Sequence, residues 1–127
     1  MDINGLTHKV IGCAYKVHNT LGSGFLERVY ENALKLELEK VGINARQQVK
    51  LPVLYDGHQV GLYYPDLWIE GQLIVELKAT LALTREHETK LIHYLAATGI
   101  ENGLLINFGS SVQVKRKFRD YKPKTME

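Results

Sequence analysis

The chain holds one cysteine, three prolines, one tryptophan and two methionines in 127 residues. The lone Cys13 can close no internal disulfide and build no zinc site of the multi-cysteine kind. It falls on the apolar side of a helical stretch and reads as core filling rather than as a reactive thiol. No stretch approaches the ~18 consecutive apolar residues of a membrane span, and no basic N-terminal region leads into an apolar run. No membrane partner is therefore expected, and a cytoplasmic location is the default. An excess of one charge is also missing, since 16 basic and 14 acidic residues leave +2, too little to demand a polyanionic partner by itself. Repeats, low-complexity segments and linkers are absent as well. At 45% hydrophobic and 24% charged residues, the composition supports one core and is too short for two, so residues 1–127 are expected to form one domain.

What the sequence does have is strong periodicity. Leu6, Val10, Cys13, Ala14, Val17 and Leu21 recur at helical steps and stop at "LGSG", where Gly22 and Gly24 suit a helix end and a new start. A second helix is predicted from about Phe25 to Val41, with Leu26, Val29, Tyr30, Ala33, Leu34 and Val41 as its apolar side and Gly42 as its stop. From Ala45 the period becomes two. Asp56-Gly57 marks a tight hairpin between "VKLPVLY" and "HQVGLYYPDLWI", and Pro52 argues for an edge strand or a bulge. Glu70-Gly71-Gln72 forms a second turn, after which "LIVELKA" is apolar enough for an interior strand. Thr84 is the expected N-cap of a third helix carrying His87, Leu91, Tyr94 and Leu95 on one face and closed by Gly99. "GLLINFG" then forms a buried strand parallel to "LIVELKA", and "VQVKRKF" offers a further edge strand. The order α-α-β-β-β-α-β predicts an α/β (α+β) fold, one mixed sheet with helices packed on it.

Three ionisable residues interrupt the apolar run "YPDLWIEGQLIVELKAT": Asp66, Glu76 and Lys78. Strand alternation puts Glu76 and Lys78 on the face of Ile74, opposite to Val75 and Leu77. A three-residue loop centred on Gly71 sets Asp66 directly across from Glu76, whereas a two-residue loop sets it across from Val75. Two carboxylates ~4 Å apart repel by roughly 4 kcal/mol at an effective dielectric near 20. A retained proton, the Lys78 ammonium or a hard divalent cation would offset that repulsion. Spacing alone leaves a buried Glu76/Lys78 ion pair as good a reading as a Mg²⁺ or Mn²⁺ site with a lysine beside an attacking water.

Pro65-Asp66 followed by Glu76-Leu77-Lys78 resembles the P-D-(D/E)-x-K signature of the restriction-endonuclease-like nuclease superfamily. "GFLERVY", residues 24 to 30, resembles the G-x-x-E-x-x-Y motif of one small prokaryotic family within it, and "VHNTLGSGFLERVYENAL", "IVELKA" and "HYLAATGIENGLLINFG" extend the likeness over nearly the whole chain. The resemblance implies a restriction-endonuclease-like core and a metal-dependent nuclease acting on nucleic acid, with DNA the expected substrate. It implies metal binding by Asp66, Glu76 and the Leu77 carbonyl, and gives Lys78 the attacking water and the developing charge. Glu27 matches the helix acid that joins such sites. By position alone, Glu27 can instead cap a helix starting at Gly24. Tyr30 either supports the carboxylates or fills the core.

"EHETKLIHYLAATG" resembles the Q-x-x-x-Y element of exonuclease-like members, with Lys90 where the glutamine stands and Tyr94 retained. Lysine accepts no hydrogen bond and adds positive charge near a metal or phosphate, so this departure weakens a specific exonuclease assignment. His87 and His93 are not at one-face metal spacing; His87 is a candidate supporting group near the site, and His18 reads as a packed or capping histidine. Lys115, Arg116, Lys117, Arg119, Lys122 and Lys124, with Phe118, Asp120 and Tyr121 among them, make either a phosphate-tracking stripe or a solvated edge. A small domain with no separate specificity domain points to structure-guided recognition, or to help from a homodimer or a protein partner. The competing function is a nuclease-like fold without turnover, serving as a nucleic-acid-binding or protein-interaction module.

Overall fold

A computed structural model describes residues 1–119. Asp120, Tyr121, Lys122 and Lys124 of the basic run lie outside the described residues. The elements are α1 (Ile3–Leu21), α2 (Glu27–Lys40), β1 (Ala45–Arg46), β2 (Leu51–Tyr55), β3 (His58–Tyr63), β4 (Leu67–Ile69), β5 (Leu73–Lys78), α3 (Arg85–Thr98), β6 (Asn102–Phe108) and β7 (Val112–Phe118). A five-stranded sheet runs β1-β4-β5-β6-β7, and β2-β3 form a separate two-stranded ribbon. Only β5 and β6 pair parallel, through the α3 crossover; the other ladders are antiparallel. Among the described residues, no helix is long and apolar enough to cross a membrane.

Strand alternation builds two cores. Val75 and Leu77 face α1 and α2, packing with Val10, Val17, Leu34 and Leu38. Ile74 faces α3, packing with Tyr63, Leu91, Leu95 and Leu105. The first core takes in Cys13, as the α1 periodicity predicts.

Local signals behave as their chemistry requires. Asp56 and Gly57 both take positive φ, 51° and 77°, and close Tyr55 against His58, the geometry that suits a two-residue hairpin. Pro52 sits in the small ribbon, which has a bulge between Val53 and Leu54. Thr84 caps α3 in a reciprocal box with His87, and Gly99 ends it in the left-handed region at φ 76°.

Three expectations need correction. The second helix begins at Glu27, with Leu26 at the cap position and no side-chain cap bond, so Gly24 is not the N-cap and Glu27 does not return to cap one. Its buried stripe is Tyr30, Glu31, Leu34 and Leu38; Leu26, Val29 and Val41 are exposed. The expected strand "HQVGLYYPDLWI" breaks after Tyr63: β3 stays in the ribbon, and β4 starts afresh at Leu67 in the main sheet. Pro65 supplies no ladder N–H and restrains Tyr64 before it, so a continuous strand through these residues would lose its pairing. The break leaves Asp66 in the connection, next to the first residue of β4.

Candidate active site

The turn after β4 fixes the site's register. Ile69 pairs with Leu73, Trp68 with Ile74 and Leu67 with Val75, so the loop has three residues, with Glu70 and Gly71 both at positive φ. The next pair outward is Asp66 with Glu76, just past the end of β4.

Two hydrogen bonds hold the carboxyls at the same end of β5. Asp66 Oδ2 accepts from the Leu77 backbone N–H at 2.7 Å, and the Asp66 charge acts directly on Glu76. The Tyr63 hydroxyl donates to Glu76 Oε2. Burial, first of all, and then the Asp66 charge push the Glu76 carboxyl up to about 8, against the opposing pull of Tyr63 and Lys78. Burial and the Glu76 charge drive the Tyr63 phenol far above its ordinary value, so it stays a donor. In a strand, a residue's N–H and C=O point to the same neighbour. The Leu77 carbonyl therefore turns toward the side where its N–H meets Asp66, just ahead of the first β4 residue.

Glu76 and Lys78 open into a cleft of about 270 Å³ that Tyr63, His87, Lys90 and Tyr94 also line. The Tyr94 ring stacks on Tyr63 with centroids 3.9 Å apart and planes at 13°. His87 Nδ1 accepts from the Thr84 backbone N–H at 3.1 Å, which leaves the proton of a neutral ring on Nε2. Lys90, in the glutamine's place, brings a second ammonium to the cleft beside Lys78.

On the α2 side, Asp66 borders a smaller pocket of about 150 Å³ with Arg28, Glu31, Gln48 and Tyr64. Burial raises the Glu27 carboxyl, and the Asp66 charge adds to it while Lys78 opposes. Glu27 thus feels the site's charges without entering a ligand cluster: among the described residues, no three His, Cys, Asp or Glu side chains stand together in a way that could hold a metal. Tyr30 lies in the core. Its hydroxyl donates to the Gly22 carbonyl at 2.6 Å and accepts from Phe25 N–H at 3.3 Å, and its ring stacks on Phe108 at 4.5 Å.

Two residues escaped the sequence analysis. Tyr63 was hidden because its partners, Glu76 and Tyr94, come from distant segments. Glu31 had a signal: it lies four residues after Glu27, on the same helix side. It is buried, bonded by Gln47 Nε2 at 2.7 Å, and raised chiefly by burial, with the Gln47 bond opposing and Asp66 adding.

Elsewhere the expected candidates have structural partners. His18 Nε2 lies 2.8 Å from the Gly109 carbonyl and its ring packs on Phe108. In the basic run, Lys117 pairs with Glu88, Arg119 with Glu101, and Arg116 donates to Asn4 and Asn102. These partners favour a braced edge strand over a phosphate-tracking stripe.

The donor set at Asp66 and Glu76 is all oxygen, two carboxyls with a carbonyl turned the same way, which suits a hard divalent cation. Burial first, and then the Asp66 charge, favour a proton on Glu76, and a bound cation would oppose both.

Similar folds occur in solved structures. The crystal structure of SSO0001 superposes with a TM-score of 0.55 at 17% identity, over 75% of this chain and 50% of that one. This chain thus spans about half the length of that relative. An alkaline exonuclease, LHK-Exo from Laribacter hongkongensis, superposes with a TM-score of 0.50 at 10% identity, over 84% of this chain and 76% of that one. At these identities the likeness concerns the fold, which is restriction-endonuclease-like. No curated protein matches by sequence. The family profile of the PD-(D/E)XK nuclease superfamily matches residues 4–119, and with Asp66, Glu76 and Lys78 gathered at one end of the sheet, the chain belongs to that superfamily.

Proposed function

We propose that this chain is a divalent-metal-dependent nuclease that hydrolyses phosphodiester bonds, with DNA as its substrate. The observation that carries the proposal is the Asp66–Glu76 carboxyl pair at the end of a buried strand, with Lys78 on the same strand face as Glu76. Leu77 N–H holds one Asp66 oxygen and leaves the other available. Tyr63 holds one Glu76 oxygen in the same way. A Mg²⁺ or Mn²⁺ held by those carboxylates and the Leu77 carbonyl would polarise the phosphate and lower the cost of forming hydroxide.

Lys78, two residues along the strand, orients the attacking water and counters the charge that develops on the phosphate oxygens. Lys90 adds a second positive charge in the same cleft, in place of a neutral hydrogen-bonding side chain. Glu27 and Glu31 act as negative charges on the α2 side, and His87 and Tyr94 shape the cleft wall. The "GFLERVY" segment supports placement in the GxxExxY family. A single domain and a cytoplasmic location belong to the same proposal, with a homodimer or protein partner contributing to recognition.

Labelled single-stranded, duplex and branched DNA and RNA, incubated with Mg²⁺ or Mn²⁺, test the proposal against Lys78→Ala and Glu76→Ala. Cleavage by the wild type that both variants lose is the expected result. No cleavage of any substrate, or cleavage that survives both substitutions, would overturn it. Binding that persists in EDTA without turnover would establish the non-catalytic module instead.

A further inference from the structure

Two consecutive tyrosines stand at the head of the site, and the fold uses them in opposite ways. Tyr63 is 7% exposed, bonded to Glu76 and stacked on Tyr94. Tyr64 is 51% exposed, and among the described residues its ring stacks on no other. Pro65 behind it is buried and holds the Tyr64 backbone extended. The ring is therefore held outward by a segment anchored on both sides, leaving apolar surface in water that folding does not use.

Its position gives that surface a purpose. Tyr64 lines both the cleft with Glu76 and Lys78 and the smaller pocket with Arg28 and Asp66. Lys90 lies in the first, and Arg28, paired with Glu31 at 3.6 Å yet 63% exposed at its side chain, borders the second. Tyr64 is the residue that the two openings share, so a phosphodiester backbone running from one cation toward the other would pass its ring. A flat ring flanked by phosphate-holding cations matches a nucleobase, and any base offers the same π-face. Within a duplex, both faces of each base are already covered by its neighbours.

We infer, building on the nuclease reading, that Tyr64 is the stacking platform for the base adjoining the scissile phosphate, and that the substrate enters the site as an unpaired strand. Tyr64 determines specificity and transfers no proton, so its ring matters and its hydroxyl does not.

The test uses the full chain in EDTA, where no turnover occurs, with a single strand and a matching duplex that carry a fluorescent base analogue. Wild type and Tyr64→Phe are expected to quench the analogue in the single strand. Tyr64→Ala loses the quench and binds that strand roughly tenfold or more weakly, with duplex binding unchanged and thermal stability close to wild type. Equal single-strand affinity in Tyr64→Ala, equal losses on both substrates, or no wild-type binding to the single strand would each overturn the inference. The nuclease reading fails separately: quenching without cleavage in Mg²⁺ or Mn²⁺ refutes turnover and leaves the platform standing. Cleavage with an unchanged strand preference in Tyr64→Ala refutes the platform alone.

Discussion

Tyr63 donates its hydroxyl to Glu76 while its ring lies against Tyr94, so one side chain ties the strand that carries the carboxyl pair to the helix across the cleft. Tyr63→Phe keeps the stack and removes the donor. A group that orients a metal-binding carboxylate is typically worth ~10–100-fold in metal affinity. We expect the Mg²⁺ concentration for half-maximal cleavage to rise by about that factor, beside a stability loss of about 1–2 kcal/mol from the missing bond. An unchanged metal requirement would reduce Tyr63 to a packing role.

The Glu76 carboxyl, held up to about 8 by burial and by Asp66, makes stability depend on pH. Its folded value lies above its unfolded one, so between them the folded state keeps a proton that the unfolded chain releases. The contribution is fully present below about pH 4.5 and is lost as pH rises toward 8, at up to ~1.4 kcal/mol per pH unit. In EDTA, urea unfolding should show stability falling from about pH 5 to pH 8. Glu76→Gln should flatten this slope; an unaltered slope would assign it to another group.

Asp66→Asn should separate stability from activity. An amide oxygen can still accept the Leu77 N–H, while the charge facing Glu76 disappears. Unfolding in EDTA at neutral pH should show a gain of about 1 kcal/mol or more, with cleavage reduced by roughly 10²-fold or more. A variant less stable than the wild type would mean that Asp66 contributes more through structure than it costs through repulsion.

Tyr30 belongs to the architecture. Tyr30→Phe leaves the Gly22 carbonyl and the Phe25 N–H without their partner and should cost about 1–2 kcal/mol in urea unfolding. Cleavage at a temperature where the variant is folded should match the wild type. A large fall in turnover with intact stability would return Tyr30 to the site.

The legible parts of the fold were those with local chemistry: the Asp56-Gly57 turn, the Thr84 cap, the Gly99 stop and the apolar β5 and β6. The three-residue turn at Gly71, one of two registers open in the sequence, is the one the fold adopts. The break at Pro65 was hidden because Tyr63 to Ile69 is mostly apolar, and apolar character does not reveal which sheet a strand joins. Apolar composition likewise does not reveal which face of α2 meets the core: Leu26 and Val29 are exposed, and the buried stripe begins at Tyr30. Tyr63 required the tertiary fold itself, because its two partners lie far along the chain.

The parallel pairing of β5 with β6 also bears on when the site can exist during synthesis. Lys78 pairs in register with Asn107, and Asn107 bonds Thr80, fixing the chain just beyond β5. A nascent chain ending before Asn102 has made Asp66, Glu76 and Lys78, yet β5 still lacks a strand on that side. Parallel neighbours join only after the whole crossover has formed. A chain cut before Asn102 therefore carries every acid of the site without the parallel neighbour β6 that pairs with β5, and such a fragment is expected to leave those acids unaligned.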